Sequence, residues 1–131
     1  MKINDLRFRA WDGQTMNYSD DGDYRSLEAF FALTDDQGYG SFRTEYMRWT
    51  GLIDSSGKNI YEGDIIQWFD LDDPQPLLVI KWAKTFSNFA FSPYDLSGEP
   101  YDFYGGWPFG MDMARVIGNI YQNPELLKPN E

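Results

Sequence analysis

The sequence predicts a mainly β fold, α+β at the margin, with about six to eight strands, one helix near 26–34 and a short helical turn close to the C-terminus. Three observations predict it. Apolar residues make up 42% and aromatic residues 18% of 131 residues, enough to build a core without disulfide or metal staples. Short runs with a period of two recur along the chain, and clusters of Gly, Asp, Asn, Ser and Pro separate them. That length matches one domain, so residues 1–131 are read as a single compact unit.

Leu6, Phe8 and Ala10 alternate with Arg7, Arg9 and Trp11, the period of two that places one set of side chains on a buried face of an opening strand. Asp12-Gly13 supplies a turn, and Met16 and Tyr18 begin a returning strand. Past the acidic loop Asp20–Asp23, Ser26 can cap a helix whose Leu27, Phe30 and Phe31 recur at i, i+3 and i+4. The Asp/Gln/Gly cluster at 35–40 ends that stripe. From Phe42 to Trp49 the residues suit a strand, and Thr50-Gly51-Leu52 leads to the turn cluster Asp54–Lys58 of a second hairpin.

The far arm of that hairpin starts at Asn59-Ile60-Tyr61 and continues past Glu62-Gly63-Asp64 into Ile65–Phe69, with a bulge or bend at Gly63. Pro74 and Pro76 make Asp70–Pro76 a loop. Leu77–Ala83 reads as a strand buried on both faces or nearly so, and Phe89 and Phe91 alternate in the next. Pro93–Pro100 reads as a connector. Arg115–Tyr121 closes the sheet, and Asn123 can cap a helical turn with Pro124 in its first position.

Eleven Lys and Arg stand against twenty-one Asp and Glu, a formal charge of −10. That charge repels a phosphate backbone, so nucleic acid is not expected as a direct partner, whereas a basic protein surface is attracted. With no Cys and no His, disulfides, thiol nucleophiles and His-based triads are excluded, leaving carboxylate, Lys, Tyr or Arg chemistry. No recognisable catalytic pattern is present and no cofactor is implied. Asp5, Arg7 and Arg9 interrupt the N-terminal segment, which reads as neither signal peptide nor membrane span, and a cytoplasmic location is expected.

Three blocks, FRAWDGQTMNY at 8–18, WTGLIDSSGKNIYEGDIIQ at 49–67 and VIGNIYQNPELL at 116–127, resemble the YopX family of phage and prophage proteins. The resemblance implies a phage or prophage origin, a small β-rich domain and no established activity. The Gly63–Ile66 string also resembles the start of a strand in SH3-like barrels, which points to a partly closed barrel or a sandwich. Two stretches, 19–44 and 69–112, match no family pattern, so a function particular to this chain is expected there.

Asp70, Asp72 and Asp73, with Glu62 and Asp64 before them, supply oxygen ligands of the kind a hard cation takes, but Pro74 and Pro76 break the Ca²⁺-loop pattern and favour a solvated loop. Tyr101, Phe103, Tyr104, Trp107 and Phe109 suit the centre of a protein interface, with core packing as the competing reading. These eight residues form the expected interaction surface. Three functional readings follow in order: a non-enzymatic module binding a host or phage protein of basic character through its acidic surface, a self-assembling structural protein acting as a homo-oligomer, and a metal-assisted carboxylate enzyme.

Overall fold

The computed structural model describes residues 6–21, 24–35, 43–68, 77–85, 88–99 and 114–127. Their strands are β1 (Phe8–Trp11), β2 (Met16–Tyr18), β3 (Glu45–Ile53), β4 (Asn59–Tyr61), β5 (Asp64–Trp68), β6 (Leu78–Thr85), β7 (Asn88–Tyr94) and β8 (Ala114–Asn119), with helix α1 (Leu27–Thr34) and a 3-10 turn at Pro124–Leu127. The strands form two four-stranded sheets, ordered β2-β1-β3-β4 and β7-β6-β5-β8, with antiparallel pairing and one half-barrel. The expected mainly β class holds. Chain contacts gather into two compact units, Met1–Trp49 and Thr50–Glu131.

In the first unit, Asp12 accepts the amides of Gln14 (2.9 Å) and Thr15 (2.7 Å), while Gly13 takes a φ of 101° that a side chain would strain. This turn sets the register Arg9↔Tyr18 and Trp11↔Met16. Strand β1 also pairs with β3, Phe8 opposite Arg48 and Ala10 opposite Tyr46. Strand β1 buries residues of both alternating sets. Ala10 is fully buried, and Arg9 is only 2% exposed and donates its Nε–H to Met47 Sδ at 3.4 Å. Arg7 instead lies over the Trp49 ring, 4.5 Å from its centroid.

Helix α1 begins where the Ser26 hydroxyl accepts the Ala29 amide at 3.0 Å. Its apolar stripe buries Phe30 and packs Phe31 edge-on against Phe8 and Tyr46 at 5.1 Å each. The helix ends with the Thr34 carbonyl accepting the Thr44 hydroxyl at 2.9 Å, so one of the orphan carbonyls of the last turn is satisfied from outside. Ser26→Ala is expected to cost about 1 kcal/mol, seen as a lower urea midpoint with an unchanged slope.

The second unit has its own core of Ile60, Ile66, Leu78, Ile80, Phe91 and Ala114, with Leu52 and Val116 packed against it. Burial of each large aliphatic side chain here stabilises the fold by roughly 1.5–3 kcal/mol. Strand β6 buries both faces only over Leu78–Ile80; Lys81 and Trp82 are exposed. Between β4 and β5, Glu62-Gly63 carries the chain from one sheet to the other, with Gly63 at a φ of 87°. Gly63 donates its N–H to the Ile80 carbonyl (2.8 Å) and accepts the Ile120 N–H (3.0 Å). The bend expected at Gly63 is thus a turn, and the bulge falls two residues later, between Ile65 and Ile66 against β8.

Strand β7 runs through Pro93, which pairs with Ile80, so the segment expected as a connector from Pro93 starts two residues later. Proline is tolerated because, among the described residues, β7 is the outermost strand of its sheet and no strand requires the missing N–H.

Candidate functional site

Apart from the half-buried Glu62, the described acidic residues fall into two groups. The first group is committed to backbone. Asp64 is 1% exposed and its Oδ2 accepts the Tyr61 amide at 2.7 Å, closing the turn between β4 and β5. Asp54 does more. Its Oδ1 accepts the amides of Ser56 (2.8 Å) and Lys58 (2.9 Å) and the Ser56 hydroxyl (2.8 Å), while its Oδ2 accepts the Val116 amide of β8 at 2.9 Å. Burial works to raise the Asp54 pKa, but the Val116 and Lys58 amides and the Ser56 hydroxyl and amide outweigh it and hold the group below its ordinary 3.8.

Asp95 repeats the turn half. Its Oδ1 accepts Ser97 N (2.9 Å), Ser97 Oγ (2.6 Å) and Glu99 N (3.0 Å). The Ser97 hydroxyl, then the Glu99 amide, depress this pKa as well. Together with Asp12, these residues are framework. The sequence shows each as a turn residue, but not that a carboxylate in one turn would hold a strand 62 positions away.

The second group is exposed: Asp20, Asp21, Glu28, Asp35, Glu45, Glu99 and Glu125. Four of them belong to the stretch 20–36, whose sequence holds six carboxylates and a single Arg. Helix α1 turns Glu28, Ala32 and Asp35 outward, with Leu33 beside them at 58% exposure. An apolar side chain with carboxylates around it suits a partner that presents a pocket with a basic rim. In the second unit, Trp82 is 47% exposed and packs edge-on against Phe91 at 4.7 Å, and the neighbouring Lys81 lies 5.1 Å from the Tyr94 ring centroid.

The eight residues expected from sequence to form an interaction surface, Asp70, Asp72, Asp73, Tyr101, Phe103, Tyr104, Trp107 and Phe109, lie outside the described residues. Sequence reasoning did not single out Leu33, Trp82 or Leu96 as exposed apolar positions. All three fall in the stretches 19–44 and 69–112, where a function particular to this chain was expected, but nothing in the sequence marked these positions as exposed. Among the described residues, no group of three or more acidic side chains is placed to hold a metal ion, and no helix is long and apolar enough to cross a membrane.

The YopX protein family model matches residues 7–128 and so runs through both units. Protein EF1440 from Enterococcus faecalis has a similar fold, with 23% identity, a TM-score of 0.53 and coverage of 94% of this chain and 98% of its own. Protein yopX from Bacillus subtilis is similar too, at 22% identity and a TM-score of 0.51, with 95% and 98% covered. No curated protein matches the chain.

Proposed function

The chain belongs to the YopX family, and from that premise we propose that it is a non-enzymatic interaction module, encoded by a phage or prophage, that binds a basic protein in the bacterial cytoplasm. One observation carries this reading: α1 turns Leu33 and Glu28 outward, with Asp35 exposed at its C-cap, in a segment with six acidic residues to one Arg, on a chain of net charge −10. The framework acids close turns whatever the protein does, whereas the exposed acids of 20–36 are not used in any turn lock described above. They favour association with a cationic surface, and Leu33 supplies the apolar contact that charge alone lacks.

The experiment is capture of host proteins on the immobilised wild-type chain and on a Leu33→Ser, Glu28→Gln, Asp35→Asn variant. A basic protein retained by the wild type, released as salt rises and lost from the variant, is the expected result. Equal retention by both forms removes α1 from the interface. Recovery of nothing above background on either overturns the reading.

A further inference from the structure

The two most exposed large apolar side chains among the described residues stand in surroundings of opposite charge. Leu33, 58% exposed, lies beside Glu28 and Asp35 on the outer side of α1 in the first unit. Ile53, 55% exposed, ends β3 in the second unit. Its neighbour Leu52 packs against the core, so alternation turns Ile53 outward.

The hairpin tip around Ile53 is basic on the outside because its acid is used inside. Asp54 is 5% exposed, and its carboxylate takes the amides of Ser56, Lys58 and Val116 and the Ser56 hydroxyl. The exposed charge of the turn is then Lys58, with Ser55, Ser56 and Gly57 neutral before it. Arg115 stands next to the turn. The backbone on either side of it is held there, Ser55 N donating to the Ala114 carbonyl at 2.9 Å and Val116 N to Asp54 Oδ2 at 2.9 Å. Ala114 is buried and Val116 packs against the core, so alternation turns Arg115 outward, where it is exposed. An apolar side chain flanked by two cations thus projects from a chain whose acids outnumber its bases 21 to 11. The hydrogen bonds to Asp54 fix the tip in advance, so little ordering is needed when it docks.

We propose that this tip docks on the α1 face of a second copy of the chain, Ile53 against Leu33, with Lys58 and Arg115 toward Glu28 and Asp35. Each surface has an apolar centre and the charge that the other lacks. The net charge of −10 opposes the approach of two copies, but at physiological ionic strength charges more than about 8 Å apart are largely screened, whereas groups in contact are not. The contact joins two different surfaces, so it continues from copy to copy unless the rotation closes a ring. With one apolar pair at its centre it is weak, with a dissociation constant on the order of 0.1 mM. It covers Leu33, the residue assigned above to a basic partner. Self-association therefore holds the α1 face until such a partner displaces it, which adds regulation to that reading.

Sedimentation equilibrium of the whole chain at about 0.15 M ionic strength, from about 10 μM to about 1 mM, tests the contact. The weight-average mass of the wild type is expected to rise with concentration. Ile53→Thr with Lys58→Gln removes the tip, and Leu33→Gln with Glu28→Gln removes the helix face. All four positions are exposed, so both variants keep denaturant midpoints close to the wild type. Each variant alone stays monomeric. An equimolar mixture forms dimers that grow no further, because the intact helix face of the first variant takes the intact tip of the second. A wild type that stays monomeric over the whole range, a variant that associates as the wild type does, or a mixture without dimers, each overturns the contact. Such a failure with salt-sensitive capture of a basic host protein intact leaves the partner reading standing. Loss of that capture with self-association retained removes the partner reading and leaves the contact between copies.

Discussion

Asp54→Ala lowers stability by about 3 kcal/mol, equivalent to a fall of roughly 10 °C in melting temperature for a domain of this size. The Asp54 carboxylate accepts four hydrogen bonds and is 5% exposed. Ser56 and Lys58 are exposed, and their amides can turn to water when the side chain is removed. Val116 N is half-buried within β8 and loses its acceptor, which is where the larger part of the cost arises. Asp54→Asn retains Oδ1 for the turn but sets an amide donor against the Val116 donor, so it falls between wild type and alanine. Asp95→Ala is the internal control: the same turn is opened, but among the described residues its carboxylate holds no amide outside the turn, and the melting temperature falls less.

The pH dependence has a definite sign. Because the folded pKa of Asp54 is depressed below 3.8, the group contributes its full stabilisation above the unfolded pKa and loses it as pH falls through the lower folded value. The stability difference between wild type and Asp54→Asn is therefore constant from neutrality down to about pH 5 and narrows below 3.8, the ordinary value. Denaturant midpoints measured for both proteins from pH 7 to pH 2.5 check this. A difference that grew on acidification would mean that the carboxylate is not what β8 depends on.

Sequence reasoning read local structure well and long-range structure poorly, for reasons visible at single residues. The Asp12-Gly13 turn, the Ser26 cap and the Phe30/Phe31 stripe each depend on neighbours within four positions, and all were legible. Alternation places one set of side chains on a buried face but does not reveal that Arg9 is buried too, with Met47 Sδ available to its guanidinium. Pro93 reads as a strand breaker to any local rule, yet it sits in an outer strand where no partner asks for its N–H. Of the candidate site, the excess of acid was legible. The division of that acid into turn locks and exposed carboxylates was not, because it depends on which backbone donors folding brings within reach, as when Asp54 meets Val116.

The blocks that carry the family resemblance acquire a common physical meaning. Each contains a short side chain that replaces a partner for backbone N–H groups: Asp12 in the first, Asp54 and Asp64 in the second, Asn119 and Asn123 in the third. A domain with strands of three to nine residues has many chain reversals for its size, and each leaves donors that the sheets do not satisfy. In these blocks, such side chains supply acceptors that the sheets do not.

Gly118→Ala is expected to cost about 2–3 kcal/mol and Gly118→Val more, through a neighbour five residues along the chain. Asn123 was expected to cap the helical turn that follows it. Its Oδ1 instead accepts the Asn119 amide at 3.1 Å, while Asn119 Oδ1 accepts the amides of Tyr121 (3.0 Å) and Gln122 (2.8 Å). For this exchange the Asn123 side chain must lie flat on Gly118. A Cβ there would stand 2.6 Å from its Oδ1, 2.7 Å from its Cγ and 2.9 Å from its Cβ, all closer than real contacts allow. Alanine at 118 therefore expels Asn123 and opens the reversal after β8. Asn123→Ala cannot relieve the overlap, because the Asn123 Cβ is itself too near; Asn123→Gly can. In a double-mutant cycle, Gly118→Ala is expected to be nearly neutral in the Asn123→Gly background and costly in the wild type, a coupling of about 2 kcal/mol. An equal cost in both backgrounds would show that Gly118 is required for its backbone and not for the space that Asn123 fills.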